Sequence, residues 1–190
     1  MSVQELIVAD TGFLLSVAST RLILPSLEQR WAGRMAWPHE VLSELQHIDL
    51  QQRDDIPPGL ASSAIKCGQR LFGDPIALDD DQRDRASGLA ARIGGFNPGG
   101  HDGEAAGAIL AQDSDGILVL EDSAAAPVIS SEGVRTIDLR TVLYVVSRDI
   151  NSTLGDAELA IIIGDLNSKN RPNFHEMTPA DIRNRSWQAG

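Results

Sequence analysis

Residues 6–11 read Leu-Ile-Val-Ala-Asp-Thr, a continuous apolar run that ends in an acid. An apolar run without polar alternation is typical of a strand buried on both faces, as in a parallel sheet covered by helices. Open α/β sheets place their ligand sites at the carboxyl ends of such strands. Asp10 therefore marks a candidate site, although an Asp at this position is equally suited to capping the next helix.

Strand-like and helix-like segments alternate along the chain, which indicates βαβ units and an α/β fold with a largely parallel sheet. Strands are predicted at about residues 6–9, 35–37, 117–120 and 134–137. Helices are predicted at about residues 12–18, 22–31, 39–48, 60–72, 79–93, 102–113, 123–131, 140–148 and 154–167.

The composition limits the classes of protein to which the chain can belong. Its 190 residues, 42% of them hydrophobic, can bury one good core, so we expect one domain over residues 1–167 and a polar tail over residues 168–190. The formal charge of -11 argues against a broad nucleic-acid-binding surface, because phosphate affinity comes largely from Lys and Arg. A single cysteine, Cys67, excludes an internal disulfide and suits a reducing compartment. We expect a soluble, cytoplasmic protein without a secretory signal or a membrane span.

Three further acids occupy strand-to-helix positions comparable to that of Asp10. Glu44 lies at the margin of the apolar stripe of its predicted helix, where it can overhang the edge of the sheet. Glu104 belongs to the first turn of its predicted helix, where a carboxylate serves either the helix dipole or a metal. Asp122 ends an internal strand much as Asp10 ends the first one. Four converging carboxylates repel each other unless a divalent cation neutralises them, so the set predicts a cation site with oxygen ligands.

Two members of this set have neighbours that compete with them. Asp102 is the predicted N-cap of the helix that contains Glu104, and it is a rival ligand. Glu121 is expected to face away from Asp122, because successive side chains of a strand alternate. Ser123 is expected to cap the following helix, which would free Asp122 from that duty.

Other residues that resemble site residues receive a structural interpretation. The histidines show no metal-ligand spacing such as HxxxH, so most of them are expected at the surface or at helix ends. His101 is the one that lies next to the candidate site. Cys67 is expected to be a small buried hydrophobic residue. The three aspartates at 79–81 are expected to form a solvated helix start.

With these residues laid out, the chain resembles the PIN-domain nucleases, including the VapC-like toxins of prokaryotic toxin–antitoxin pairs. The resemblance rests on four segments: residues 7–11 (Ile-Val-Ala-Asp-Thr), 41–45 (Val-Leu-Ser-Glu-Leu), 103–111 (beginning Gly-Glu-Ala-Ala) and 119–122 (Val-Leu-Glu-Asp). Their order, spacing and secondary-structure context agree with that family over at least residues 5–140. The helices after residue 140 look like the C-terminal helices of some PIN subgroups.

The resemblance implies a three-layer α/β/α sandwich with a central, mainly parallel sheet. Its acidic pocket would bind Mg²⁺ or Mn²⁺ and hydrolyse RNA phosphodiester bonds, as the toxin of a toxin–antitoxin pair does. An antitoxin protein and a homodimer are implied in the same way. The catalytic acids and metal ligands would be Asp10, Glu44, Glu104 and Asp122. Thr11 matches the small hydroxyl residue that often follows the first Asp, and the accessory candidates are Thr11, Asp102 and Glu121.

The last motif departs from the pattern of many members of that family. There it continues with Asp-Asp and then Ala-Arg, whereas here Asp122 is followed by Ser123, and Ala126-Pro127 stands where the arginine is expected. Two other functions therefore stay open. The acidic composition and the missing arginine favour a PIN-like module that no longer cleaves and works through protein contacts. A metal-dependent phosphatase or nucleotide hydrolase would use similar acids, but the chain has no recognisable nucleotide loop.

Overall fold

Four short parallel strands form the sheet of the computed structural model, which describes residues 5–52, 55–94, 100–149, 152, 154–169, 174 and 177–184. The strands are β1 (Ile7–Ala9), β2 (Met35–Ala36), β3 (Ile117–Val119) and β4 (Arg135–Ile137). Their order across the sheet is β2-β1-β3-β4, and Ile7 lies opposite both Met35 and Ile117. Because all four strands are parallel, their carboxyl ends meet at one edge of the sheet.

Helices fill the connections between the strands. A short 3-10 helix at Arg21–Ile23 separates the first two α-helices. The α-helices are α1 (Thr11–Ser19), α2 (Leu24–Trp31), α3 (His39–Gln51), α4 (Leu60–Phe72), α5 (Asp80–Gly94), α6 (Asp102–Asp113), α7 (Ala125–Ser131), α8 (Leu139–Ser147), α9 (Asp156–Ser168) and α10 (Pro179–Arg183). Within the described ranges, none of these helices combines the length and the apolar content needed to cross a bilayer.

The two faces of the sheet pack against two separate hydrophobic clusters. Ile7 and Ala9 belong to the first cluster, together with residues of α1–α4 and α8–α10. Val8 and Leu118 belong to the second, together with residues of α5, α6 and α7. Alternate residues of a strand point to opposite faces, so each apolar run serves both clusters. The predicted α/β class with a parallel sheet is confirmed, and the arrangement agrees with a three-layer sandwich.

The predicted elements agree with the observed ones to within a few residues. The predicted helices at 60–72 and 102–113 have the observed bounds of α4 and α6. The largest extension is in α3, which continues to Gln51, where the apolar pattern no longer indicates a helix. The helix ends because Gln52 adopts a left-handed conformation with φ of 46°. Cys67 is buried as predicted.

Part of the segment predicted as a polar tail packs into the first hydrophobic cluster. Phe174 and Ile182 are fully buried there. A capping box begins α10: the Thr178 N–H donates to Asp181 Oδ2 at 2.7 Å, and the Asp181 N–H donates to Thr178 Oγ1 at 3.3 Å. The apolar residues are too widely spaced to show a helical period, so this capping motif is the sequence signal for α10. Most of the remaining tail lies outside the described residues, and the boundary at 167/168 stays a prediction.

Candidate metal centre

Asp10 caps a helix and also connects two strands. Its carboxylate is buried, with 1% of the residue exposed. Oδ1 accepts the Phe13 N–H at 2.6 Å and so caps α1, whereas Oδ2 accepts the Glu121 N–H at 2.9 Å and ties the end of β1 to the chain that leaves β3. A carboxylate has about four acceptor positions, so these two bonds leave lone pairs for a cation. The structure therefore shows the capping role, and the ligand role stays a prediction.

Burial raises the pKa of Asp10 well above its ordinary value. The two backbone hydrogen bonds lower the pKa, and the nearby charges of Glu121 and Glu104 raise it again. The ionised form is thus disfavoured in the metal-free protein. A cation beside this group would remove that penalty.

Glu44 is held between α1 and α6. The Thr11 hydroxyl donates a short hydrogen bond to Glu44 Oε2, and the Gly103 N–H donates to Glu44 Oε1 at 2.7 Å. Gly103 makes this approach possible: a Cβ at that position would lie 2.6 Å from Oε2 and 3.0 Å from Oε1. Sequence reasoning gave no role to Gly103, although it begins one of the four matching segments. A glycine is needed at position 103 because the Glu44 side chain of α3 packs against α6 there, and this tertiary contact leaves no signal in the local sequence.

We expect Gly103→Ala to be destabilising relative to Gly88→Ala. Both positions lie in helices, but a Cβ on Gly88 would meet nothing within 4 Å. A Cβ on Gly103 would push the Glu44 carboxylate away from the Thr11 hydroxyl and the Gly103 N–H. The difference between the two changes in the free energy of unfolding should be about 1–3 kcal/mol, the usual cost of such lost hydrogen bonds. Urea unfolding of both variants measures this difference. Equal stability changes would contradict the close packing of Glu44 against Gly103.

Glu104 lies in the first turn of α6 and is largely buried, with 16% of its side chain exposed. Burial raises its pKa, the charge of Glu44 raises it further, and Asp122 adds to the same effect. A charge on His101 would lower the pKa. Glu104 also influences Asp10, so it interacts with each of the other three predicted acids. Among the described residues, its Oε2 atom is buried and has no hydrogen-bond partner.

Asp122 caps α7, and the prediction that Ser123 does so is wrong. Oδ1 of Asp122 accepts the Ala124 N–H at 2.7 Å and the Ala125 N–H at 3.4 Å. The helix begins at Ala125, two residues later than predicted, and the N–H groups at its start are satisfied by the Asp122 carboxylate. The other oxygen, Oδ2, lies 3.7 Å from Nδ1 of His101.

Asp102 is not the N-cap of α6, contrary to the prediction. It is the first residue of the helix and is exposed, and the N-cap is His101, whose φ of 80° is left-handed. The helix begins one residue earlier than a cap at Asp102 would require. Of the two rival acids, Glu104 belongs to the group formed with His101 and Asp122, and Asp102 does not.

Glu121 connects the end of β3 to the start of α8. Its side chain accepts the Leu139 N–H at 2.9 Å, where α8 begins. Asp122 instead contacts the start of α7, so the two neighbouring acids serve different elements. Glu121 thus supports the edge of the sheet on which Asp10 lies, because its own N–H binds that carboxylate.

A pocket of about 760 Å³ opens beside these acids. Its lining includes Glu44, His101 and Glu104, together with Lys169 at the end of α9. Apolar side chains such as Ile48 contribute to the same lining. The pocket therefore offers a carboxylate-rich part, a positive charge and apolar surface to a bound molecule.

Three donor atoms of this centre form a compact group. His101, Glu104 and Asp122 each offer one ligand atom, and these atoms lie within 4.8 Å of one another. Nδ1 of His101, like Oε2 of Glu104, is buried without a hydrogen-bond partner among the described residues. Buried polar atoms normally have partners, so this centre has the composition and the unsatisfied donor atoms that suit a divalent cation.

No protein-family model, no curated protein and no solved structure matches the chain. The resemblance to PIN-domain nucleases accordingly stays a prediction.

Proposed function

We propose that the protein is a divalent-metal-dependent endoribonuclease of the PIN type, which hydrolyses RNA phosphodiester bonds. The observation that carries this proposal is the position of Glu104, whose buried carboxylate has an unpartnered oxygen and lies near three other acids. Uncompensated charge of this kind is costly in a protein interior. A divalent cation bound among these carboxylates would neutralise their charge and offset that cost.

The residues that would hold Mg²⁺ or Mn²⁺ are Glu104 and Asp122, with Asp10 and Glu44 adding negative charge around them. When bound, such an ion activates a water molecule and stabilises the charge on the phosphate oxygens. Glu44 is already oriented by Thr11, and Asp10 by two backbone N–H groups, so these two acids are held in place. The negative charge of these acids would serve to hold the cation, because the phosphate itself is negatively charged.

The pocket is suited to a nucleotide. Its volume of about 760 Å³ is that of an ordinary small-molecule site. Lys169 provides a cation for a phosphate, which supports the proposal despite the missing arginine after Asp122. Apolar side chains such as Ile48 and Ile56 provide surface for a base.

The proposal extends to a toxin role, with an antitoxin protein and a homodimer as partners. Only the resemblance to VapC-like toxins supports this extension. It is separable from the chemistry, because a nuclease centre needs neither partner in order to cleave.

The test of the proposal is cleavage of labelled RNA by the purified protein with Mg²⁺, with Mn²⁺ and with a chelator. We expect cleavage only with metal, and a loss of about 100-fold or more in Asp122→Asn, in line with the loss of one charged group from a catalytic centre. Asn caps a helix as well as Asp does, so this variant should keep its fold. Asp138→Asn is the control for the loss of a capping carboxylate, because Asp138 caps α8 by accepting the Thr141 N–H.

The remaining outcomes separate the competing functions. Metal-independent cleavage, or full activity in Asp122→Asn, would contradict the proposal. Hydrolysis of nucleoside monophosphates without cleavage of RNA would favour a phosphatase. A folded protein that is inactive on both substrates would favour the non-cleaving interaction module.

A further inference from the structure

His101 lies in the centre rather than beside it. Its Nδ1 atom is 3.7 Å from Oδ2 of Asp122 and 4.0 Å from Oε1 of Glu104. The atom is buried and has no hydrogen-bond partner among the described residues. The ring therefore turns one nitrogen toward two carboxylates that belong to different elements, α6 and the turn before α7.

We propose that His101 is a nitrogen ligand of the divalent cation, and that the centre prefers a first-row transition-metal ion such as Mn²⁺ or Co²⁺ to Mg²⁺. The inference rests on the metal site of the proposed function and is independent of the RNA substrate. It chooses between the two ions that the family resemblance leaves open.

The spacing of the donor atoms fits a shared ion better than direct contacts within the protein. A hydrogen bond from a protonated ring to either carboxylate would need about 2.7–3.2 Å, which is shorter than both separations. Donor atoms that bind one ion at about 2.0–2.3 Å lie about 3–4.5 Å apart, which includes both separations. A neutral imidazole with its proton on Nε2 presents a lone pair at Nδ1, as a metal ligand must.

The type of donor atom determines which ion is preferred. Mg²⁺ favours oxygen ligands and gives up its water shell reluctantly. Imidazole nitrogen suits transition metals, and the affinity of a mixed nitrogen and oxygen site rises from Mn²⁺ to Co²⁺. A centre built from carboxylates alone follows the same order more weakly, so the contribution of His101 is the part of the preference that is lost when the imidazole is removed.

The backbone at His101 has an unusual conformation that bears on this role. Its φ of 80° lies in the left-handed region, which non-glycine residues rarely adopt. Such conformations tend to persist at ligand sites, where the surrounding structure holds them in place. Asn and Gly both tolerate the left-handed region, so His101→Asn and His101→Gly remove the imidazole without forcing a new backbone shape.

The experiment is a calorimetric titration of the metal-free protein with Mg²⁺, Mn²⁺ and Co²⁺, each ion alone. We expect affinity to increase from Mg²⁺ to Mn²⁺ to Co²⁺ in the unsubstituted protein. His101→Asn and His101→Gly should each weaken Mn²⁺ and Co²⁺ binding by about tenfold or more, since even the loss of a group that only orients a ligand costs about 10–100-fold. Their effect on Mg²⁺ should be much smaller. His47→Asn is the control, because His47 lines the same pocket from α3.

A spectroscopic measurement on the unsubstituted protein keeps the test independent of how the variants fold. In protein labelled with ¹⁵N at histidine, diamagnetic Zn²⁺ should shift the Nδ1 resonance of His101 and leave that of His47 in place. An unshifted His101 resonance, or the same loss of affinity for Mg²⁺ as for Mn²⁺ in His101→Asn, would overturn the inference. His101-dependent metal binding without RNA cleavage would leave the inference standing and remove the proposed function. RNA cleavage without His101-dependent binding would do the reverse.

Discussion

Replacing Glu104 with Gln is expected to abolish RNA cleavage and, at the same time, to make the metal-free protein more stable near neutral pH. Both effects have one cause. The carboxylate of Glu104 is buried among the charges of Glu44, Asp122 and Asp10. Gln keeps the size of the side chain and removes the charge, so it relieves the repulsion that the proposed cation would otherwise neutralise. We expect cleavage to fall by about 10²–10³-fold or more, the usual loss for a group that stabilises charge in a catalytic centre.

The pH dependence of stability follows from the direction of the shift. Burial, followed by the charge of Glu44, raises the pKa of Glu104 above its ordinary value, so the folded protein binds this proton more tightly than the unfolded chain does. The stabilisation is fully present below the pKa of the unfolded chain and is lost as the pH rises through the pKa of the folded protein. Gln has no proton to lose. The Glu104→Gln variant should therefore show a flatter decline in stability as the pH rises above about 4.5, the ordinary pKa of a Glu carboxyl.

Thermal unfolding in chelator, followed across this pH range, measures the effect. A gain of about 1 kcal/mol raises Tm by about 2–4 °C in a domain of this size. Adding Mn²⁺ should raise the Tm of the unsubstituted protein, since an ion that binds the folded state stabilises it, and should have little effect on Glu104→Gln.

Asp102→Asn is the control for Glu104→Gln, because Asp102 lies in the same helical turn and is exposed. It should keep the cleavage activity and the pH profile of the unsubstituted protein. If the two variants behave alike, Glu104 has no special position among the acids, and the metal centre would have to be sought elsewhere.

The sheet and most helices were predictable because their signals are local. Ile7-Val8-Ala9 and Ile117-Leu118-Val119 are unbroken apolar runs, and such runs fit a strand whose two faces are both covered. The bounds of α4 and α6 were predicted from the turn residues beside them, Gly73-Asp74-Pro75 after α4 and Gly99-Gly100 before α6. The helix α10 was missed because it is five residues long and Ile182 is its buried residue, which leaves no periodic pattern.

The candidate centre was less predictable, because a shift of one or two residues at a helix start changes the role of a side chain. The cap of α7 moved from Ser123 to Asp122, and that of α6 from Asp102 to His101. Apolar periodicity locates a helix but does not locate its first residue to that accuracy. His101 and Glu104 are three residues apart in the sequence, so their proximity was predictable. Asp122 comes close to them only through tertiary packing, which the sequence does not show.

Replacing Asp10 with Ala is expected to lower the free energy of unfolding by about 2–5 kcal/mol, because two backbone N–H groups lose their acceptor and each unsatisfied donor costs about 1–3 kcal/mol. These are the N–H groups of Phe13 and Glu121. Asp10→Asn should be intermediate, since an amide has one oxygen and can accept only one of the two bonds in the same way. Asp122→Asn should be close to the unsubstituted protein, because a single oxygen of Asp122 makes both of its backbone bonds.

The pH dependence of the Asp10→Ala effect separates hydrogen bonding from charge. Burial raises the pKa of Asp10, so the unsubstituted protein loses part of its advantage over Asp10→Ala as the pH rises and this carboxyl ionises. Urea unfolding at a series of pH values measures that decline. Asp10→Asn is itself destabilised. Its loss of cleavage therefore counts as evidence for a ligand role only when it is measured without urea, at a temperature at which the variant is fully folded. Equal stability of Asp10→Ala and the unsubstituted protein would show that neither backbone bond contributes, and would leave metal binding as the reason for an acid at the end of β1.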